Sequence, residues 1–313
     1  MLKRIIIYIS VFQVLIILSI GIFIINKRKQ VLGSTINTIQ YKSIEYSPTE
    51  KLKYFYEPKK NTLIKDKKKG QPYFGEYNIN SDTFNSLRDY SFEKPQATQR
   101  IVVLGDSFTY GLYVNTADNW PSLLEEKLNS KKCKSNFEVI NLGMEGYDSR
   151  YVIERFKKRG IKYNPDIVIW LHVDLLRVRD LLPPVMNKYL KEEGNNNTKT
   201  NINAWKKAMT ELRSSYGDDG LLEYNIKAIE SITEYYNGKL LMVPMSGMVV
   251  GHEREALRNL SIKNHWEYYA NLVDIYDEGA YYENDLHPNY EGHKLIAEDI
   301  FNYLKNSNTI ACR

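Results

Sequence analysis

The sequence predicts a three-layer α/β/α domain built on a parallel sheet and preceded by an N-terminal transmembrane helix. Two observations lead there. One long apolar run without charge stands at the start of the chain, and from residue 100 onward short apolar runs alternate with helical stretches, the pattern of βαβ units. The apolar runs are nearly continuous, as in strands covered on both faces.

The first element is the apolar run of residues 5–25, from Ile5 to Ile25, which reads IIIYISVFQVLIILSIGIFII. It is long enough to span a bilayer core as a helix. The residues that follow, Asn26-Lys27-Arg28-Lys29-Gln30, offer no small-residue cleavage site, so an uncleaved anchor is expected rather than a signal peptide. Lys3, Arg4 and the α-amino group on one side balance Lys27, Arg28 and Lys29 on the other. The positive-inside rule therefore leaves the orientation open.

Composition narrows the classes. A chain of 313 residues with 43% hydrophobic content holds one main domain plus extra segments. The net charge of +5 is spread among both signs, so no nucleic-acid partner is implied. The two cysteines, Cys133 and Cys312, form neither a disulfide framework nor a metal-type spacing, and no metal or redox function follows. The 25 tyrosines decide nothing.

Three segments are expected: an anchor over 1–29, a stalk and irregular lead-in over 30–75, and the α/β domain over 76–313. Strands are predicted at 100–105 (RIVVLG), 137–143 (FEVINLG), 166–173 (DIVIWLHV), 239–245 (KLLMVPM) and, more weakly, 272–276 (LVDIY). Helices are predicted to begin near Trp120, Ser149, Asp219 and Glu253, with a last one over 289–304. An insertion over 175–217 leaves from the carboxyl end of a strand, where open parallel sheets bind ligands. It is placed either to cap the site or to be an ordinary surface segment.

Two motifs carry chemistry. Gly105-Asp106-Ser107-Phe108-Thr109-Tyr110-Gly111 follows the first domain strand directly. A serine on such a strand-to-helix turn lifts its hydroxyl to the sheet edge, with backbone N–H groups free nearby. Near the end stands Asn284-Asp285-Leu286-His287-Pro288-Asn289, which brings a histidine beside a carboxylate to the same edge. Together they supply a nucleophile, a base and a group to orient the base. His252, His265 and His293 lack partner motifs and are read as packing or capping residues.

GDSFTYG and DLHPNYEGH resemble the first and last sequence blocks of the SGNH/GDSL hydrolase superfamily. The resemblance runs over about residues 77–304 and takes in YNINSDTFNSLRD, VINLGMEGYDS and KYNPDIVIW. It implies a flavodoxin-like fold, ester hydrolysis or acyl transfer, and no metal or organic cofactor. It also implies Ser107 as nucleophile, His287 as base, and the N–H groups of Ser107 and Gly146 as oxyanion donors.

Two positions depart from the family pattern. Where an asparagine side chain usually completes the oxyanion hole, the chain reads Leu171-His172-Val173-Asp174, with Val173 in the slot; His172 and Asn119 are candidate stand-ins. Loss of one such donor typically costs about a hundredfold to a thousandfold in turnover. In the last block the aspartate expected three residues before the histidine is Asn284, and Asp285, two before His287, is taken as the orienting carboxylate. The expectation is a membrane-anchored serine esterase or acyl hydrolase with its domain outside the cytoplasm, acting on an O-acyl ester of carbohydrate or lipid. An O-acyltransferase of surface polysaccharide with the same triad is the alternative, and a catalytically inactive binding module is the rival from another class.

Overall fold

The computed structural model describes residues 43–67, 73–130, 133, 135–193 and 198–310. The apolar run at 5–25 lies outside them, and among the described residues no helix is long and apolar enough to cross a membrane.

Two antiparallel hairpins come first. Strand β1 (Ile44–Tyr46) pairs with β2 (Tyr56–Pro58), and β3 (Thr62–Lys67) pairs with β4 (Phe74–Ile79). Of the segment read as stalk and irregular lead-in, the described residues 43–67 and 73–75 form these hairpins, and Leu52, Phe55, Tyr56 and Tyr77 are buried in the main core. An ionic staple adds to this packing. Buried Glu57 receives Arg155 Nη1 at 3.0 Å, Lys158 Nζ at 2.7 Å and Arg159 Nε at 3.0 Å. Burial alone would push the Glu57 carboxyl up, but these cations hold it down at about 2. The lysine-rich surface pattern hid these few inward residues from a reading by periodicity.

The domain sheet is parallel throughout. It comprises β5 (Thr98–Leu104), β6 (Asn136–Asn141), β7 (Ile167–His172), β8 (Lys239–Pro244) and β9 (Glu267–Tyr268), in the order β6-β5-β7-β8-β9. The connections are α1 (Ser107–Tyr110) and α2 (Trp120–Ser130) after β5, α3 (Ser149–Lys158) after β6, and α4 (Leu182–Glu193) with α5 (Thr198–Glu230) after β7. Helix α6 (Gly251–Lys263) follows β8, and α7 (Tyr290–Asn306) closes the described chain. This is the flavodoxin-like order, and its switch point falls at the carboxyl end of β5, where ligands bind in such sheets.

Alternation along the strands divides the core. Ile101, Val103, Ile169, Leu171 and Val243 face the layer of α2 and α7, and Val102, Leu104, Val168, Trp170 and Met242 face α3, α5, α6 and the hairpins. Full burial of an aliphatic side chain is worth about 1.5–3 kcal/mol, so both layers are strongly held.

Two expectations are corrected. The fifth strand is Glu267–Tyr268, not 272–276, because Asp274 Oδ1 accepts from Tyr276 N at 2.9 Å and turns the chain. Leu272 and Ile275 are still buried, which produced the strand-like pattern. The helix placed near Asp219 is the second part of α5, whose first part bends at Gly217, φ 67°.

Candidate active site

The chain leaves β5 through Gly105. A Cβ there would sit 2.2 Å from Thr109 Oγ1, so the turn closes only on glycine. Asp106 caps the short helix α1 by accepting from Phe108 N at 3.0 Å. Ser107 is the first residue of that helix, where backbone N–H groups lack helical acceptors.

The histidine arrives from the loop before α7. His287 Nε2 lies 2.8 Å from Ser107 Oγ, and His287 Nδ1 hydrogen-bonds Asp285 Oδ1. Both members of the second pair are buried. The ring packs against Phe108, centroids 4.8 Å apart, and takes the edge of Tyr113 at 5.8 Å.

Contact across two residues depends on Leu286, which takes φ 69°, a conformation costly for a branched side chain. The surroundings impose it. Leu286 N donates to Tyr282 O at 2.7 Å, Leu286 O accepts from Tyr276 Oη at 3.0 Å, and Tyr282 N donates to His287 O at 2.9 Å. Asn284 is exposed and makes no hydrogen bond to His287.

Gly146 lies in the loop after β6 at φ 75°. A Cβ there would meet Arg179 Nη2 at 2.0 Å and Tyr56 Oη at 3.0 Å, so this position also requires glycine. Asp148 then caps α3 through Tyr151 N at 3.0 Å. Burial and the neighbouring Asp180 raise the Asp148 carboxyl to about 6.

The first residues of the insertion meet this loop. Arg177 Nη1 donates to Asp106 Oδ2 at 3.2 Å and to Tyr147 O at 3.4 Å. One guanidinium nitrogen therefore joins the residue before Ser107 to the residue after Gly146. Arg177 Nη2 makes no hydrogen bond among the described residues. Arg179 N donates to Asp148, and Arg179 Nε donates to Gly146 O at 3.0 Å. Asn225, buried in α5, fixes the segment from behind by donating to Leu175 O and Arg177 O.

The suggested stand-ins for the absent asparagine lie elsewhere. His172 is buried and stacked on Trp170, and its Nε2 has no partner among the described residues. Asn119 Oδ1 accepts from Ser122 N at the start of α2, and its Nδ2 has no partner among the described residues. Val173 is buried in the core facing α2 and α7. His293 packs as expected, accepting from Trp120 N through Nδ1 at 3.2 Å. Sequence reasoning missed Arg177, Arg179 and Tyr56. The run Arg177-Val178-Arg179-Asp180, beginning five residues beyond the end of the buried strand β7, was the available signal for the first two. Among the described residues no group of three or more His, Cys, Asp or Glu side chains is arranged to hold a metal ion.

A nucleophile bonded to a base, and a base held by a carboxylate, suit acyl transfer through a covalent intermediate. Residues 103–295 match the model of the GDSL-like lipase/acylhydrolase family. Among solved structures, the lipase/acylhydrolase from Enterococcus faecalis is 15% identical, with 69% of this chain and 98% of that one covered and a TM-score of 0.43. The acetylxylan esterase from Geobacillus stearothermophilus is 9% identical, covering 66% and 94%, with a TM-score of 0.42. A psychrotrophic esterase from Pseudoalteromonas sp. is 16% identical, covering 67% and 99%, with a TM-score of 0.39. These are distant likenesses and identify no substrate. Among curated proteins none matches this chain.

Proposed function

The chain belongs to the GDSL-like lipase/acylhydrolase family, whose members are ester-cleaving serine hydrolases, and from that premise we propose that it works through a Ser107-His287-Asp285 triad on an O-acyl ester of carbohydrate or a lipid-linked ester. The observation that carries the reading is the 2.8 Å contact of Ser107 Oγ with His287 Nε2, with Asp285 on the other ring nitrogen.

In this mechanism Ser107 Oγ attacks the ester carbonyl as His287 takes its proton. The carbonyl oxygen becomes an oxyanion, received by the N–H groups of Ser107 and Gly146. His287 then gives its proton to the leaving alcohol, and the acyl group stays on Ser107. Water attacks next, with His287 again as base, and releases the acid. Asp285 holds the ring and offsets the imidazolium charge. Arg177, ion-paired with Asp106 at 3.2 Å and Asp174 at 3.8 Å and bonded to Tyr147 O, joins the segments that carry both N–H donors and is the cation nearest in the chain to the position where the family asparagine is absent.

An O-acyltransferase differs only in the second acceptor, a sugar hydroxyl in place of water.

The domain is proposed to act outside the cytoplasm, anchored through residues 5–25. The ground is the length and apolar character of residues 5–25, enough to span a bilayer core. A carboxyl-terminal reporter active only in the cytoplasm would overturn the sidedness. The catalytic reading is tested by p-nitrophenyl acetate turnover. Ser107→Ala and His287→Ala should each abolish it in folded protein, whereas an unimpaired Ser107→Ala would remove the nucleophile.

A further inference from the structure

Three successive carbonyls in the loop after β6 are each held by a side chain from another part of the chain. Glu145 O accepts from Tyr56 Oη at 2.7 Å, Gly146 O from Arg179 Nε at 3.0 Å, and Tyr147 O from Arg177 Nη1 at 3.4 Å. Tyr56 belongs to β2, in the first hairpin. Its ring packs edge-on against Tyr147, with centroids 5.3 Å apart, and Tyr147 Oη donates back to Tyr56 O. Burial pushes the Tyr56 phenol up to about 12, against the pull of Arg179, so it stays protonated and donates.

The peptide joining Glu145 to Gly146 is trans. In a trans peptide the C=O and N–H point in opposite directions in one plane. Holding Glu145 O therefore also aims the Gly146 N–H, away from Tyr56. That N–H makes no hydrogen bond among the described residues, although the loop around it is closely bonded. A buried donor held rigid without an acceptor is what a transient oxyanion needs, since nothing must be broken or reoriented as charge develops.

We infer that Tyr56 is a positioning residue for the Gly146 N–H, so that the first hairpin is a working part of the catalytic apparatus. This rests on the acyl-transfer reading above. Tyr56 touches no reacting atom; it fixes the peptide plane that does. Without the hydroxyl, the plane librates and the hydrogen bond to the oxyanion weakens, while substrate binding in the ground state is little changed.

The test is Tyr56→Phe, which keeps the ring and removes the hydroxyl. Turnover is measured on p-nitrophenyl acetate and on its thionoester, in which sulfur, a weak acceptor, replaces the carbonyl oxygen. The expected result is a loss of about tenfold in kcat on the ester, a fraction of the loss on removing an oxyanion donor outright. KM should stay within about twofold, and the thionoester should lose much less. A change in folded fraction scales both substrates alike, so their ratio reports the oxyanion interaction alone. Equal losses on both substrates, or no loss on the ester, would overturn the inference. Ser107→Ala serves as the control. If it were as active as the wild type, the acyl-transfer reading itself would fall, whereas an inactive Ser107→Ala beside an unaffected Tyr56→Phe would remove only the role of Tyr56.

Discussion

Asp285 reaches Nδ1 of His287 from two residues away because Leu286 between them is held at φ 69° by the backbone of Tyr282 and the hydroxyl of Tyr276. The contact between the two side chains is thus set by a strained backbone rather than by sequence spacing. The site spends conformational free energy on this geometry, of order 1–3 kcal/mol for such a residue.

Asp285→Asn should lower kcat by orders of magnitude, toward the about ten-thousandfold seen when a triad loses its charge, with KM little changed. Asn284→Asp should leave turnover unaltered, since position 284 is exposed and has no bond to His287. Steady-state kinetics of the two variants decide it. A harmless Asp285→Asn with an accelerating Asn284→Asp would transfer the role to position 284.

Arg177→Met keeps the length of the side chain and removes its charge. The expected effect is a fall in kcat of about tenfold to a hundredfold, somewhat less than the loss of a dedicated oxyanion donor. Kinetics beside a thermal melt separate this from unfolding, and an unchanged kcat would leave Arg177 as a loop clamp only.

The ester motifs were legible in the sequence because a strand-to-helix turn and a loop before a helix are local events. Ser107 and His287 follow from their own neighbours. The choice between Asp285 and Asn284 was not legible, since it turns on the φ of Leu286, which Tyr276 and Tyr282 impose. Arg177 and Tyr56 escaped for another reason: each works on a loop distant in the chain, and only the sheet order brings them together. The parallel sheet was read correctly over four strands, whereas β9 is two residues long and carries too little pattern to find.

Two buried imidazoles contribute to the pH dependence of stability. Burial pushes His172 down to about 3, and burial, aided by His287, does the same to His293. The unfolded chain takes up a proton at each near the ordinary value of about 6.5. Between about 6.5 and about 3 these two imidazoles bind fewer protons in the fold than in the unfolded chain, so their contribution to stability falls as pH drops through that window, opposed below about 6 by Asp148, whose raised carboxyl takes up its proton earlier in the fold. His172→Phe, which preserves the stack on Trp170, should make the slope shallower by about 1.4 kcal/mol per pH unit between pH 5.5 and 4.5. Urea unfolding across that interval checks this, and an unchanged slope would mean His172 is protonated in the fold.

The hairpins should be indispensable. A chain beginning at Gln30 is expected to stay in the soluble fraction and remain active, whereas the full chain partitions with membranes through residues 5–25. A chain beginning at Tyr73 loses Leu52, Phe55 and Tyr56 from the core and strips buried Arg155 of Glu57. Leaving one partner of a buried ion pair alone costs about 3–5 kcal/mol, so this chain should not fold. Circular dichroism of the two truncated chains and detergent-free fractionation of the full one test these outcomes; a folded chain from Tyr73 would contradict them.

Ser107 is proposed to be the nucleophile, activated by His287. A fluorophosphonate reports it directly, because only an activated serine displaces fluoride to form a stable phosphonyl ester. After labelling of the full chain, peptide mass spectrometry should find the adduct on Ser107 and no adduct in His287→Ala. An adduct on another residue, or an unlabelled wild-type protein that is fully folded, would show that Ser107 is not an activated nucleophile.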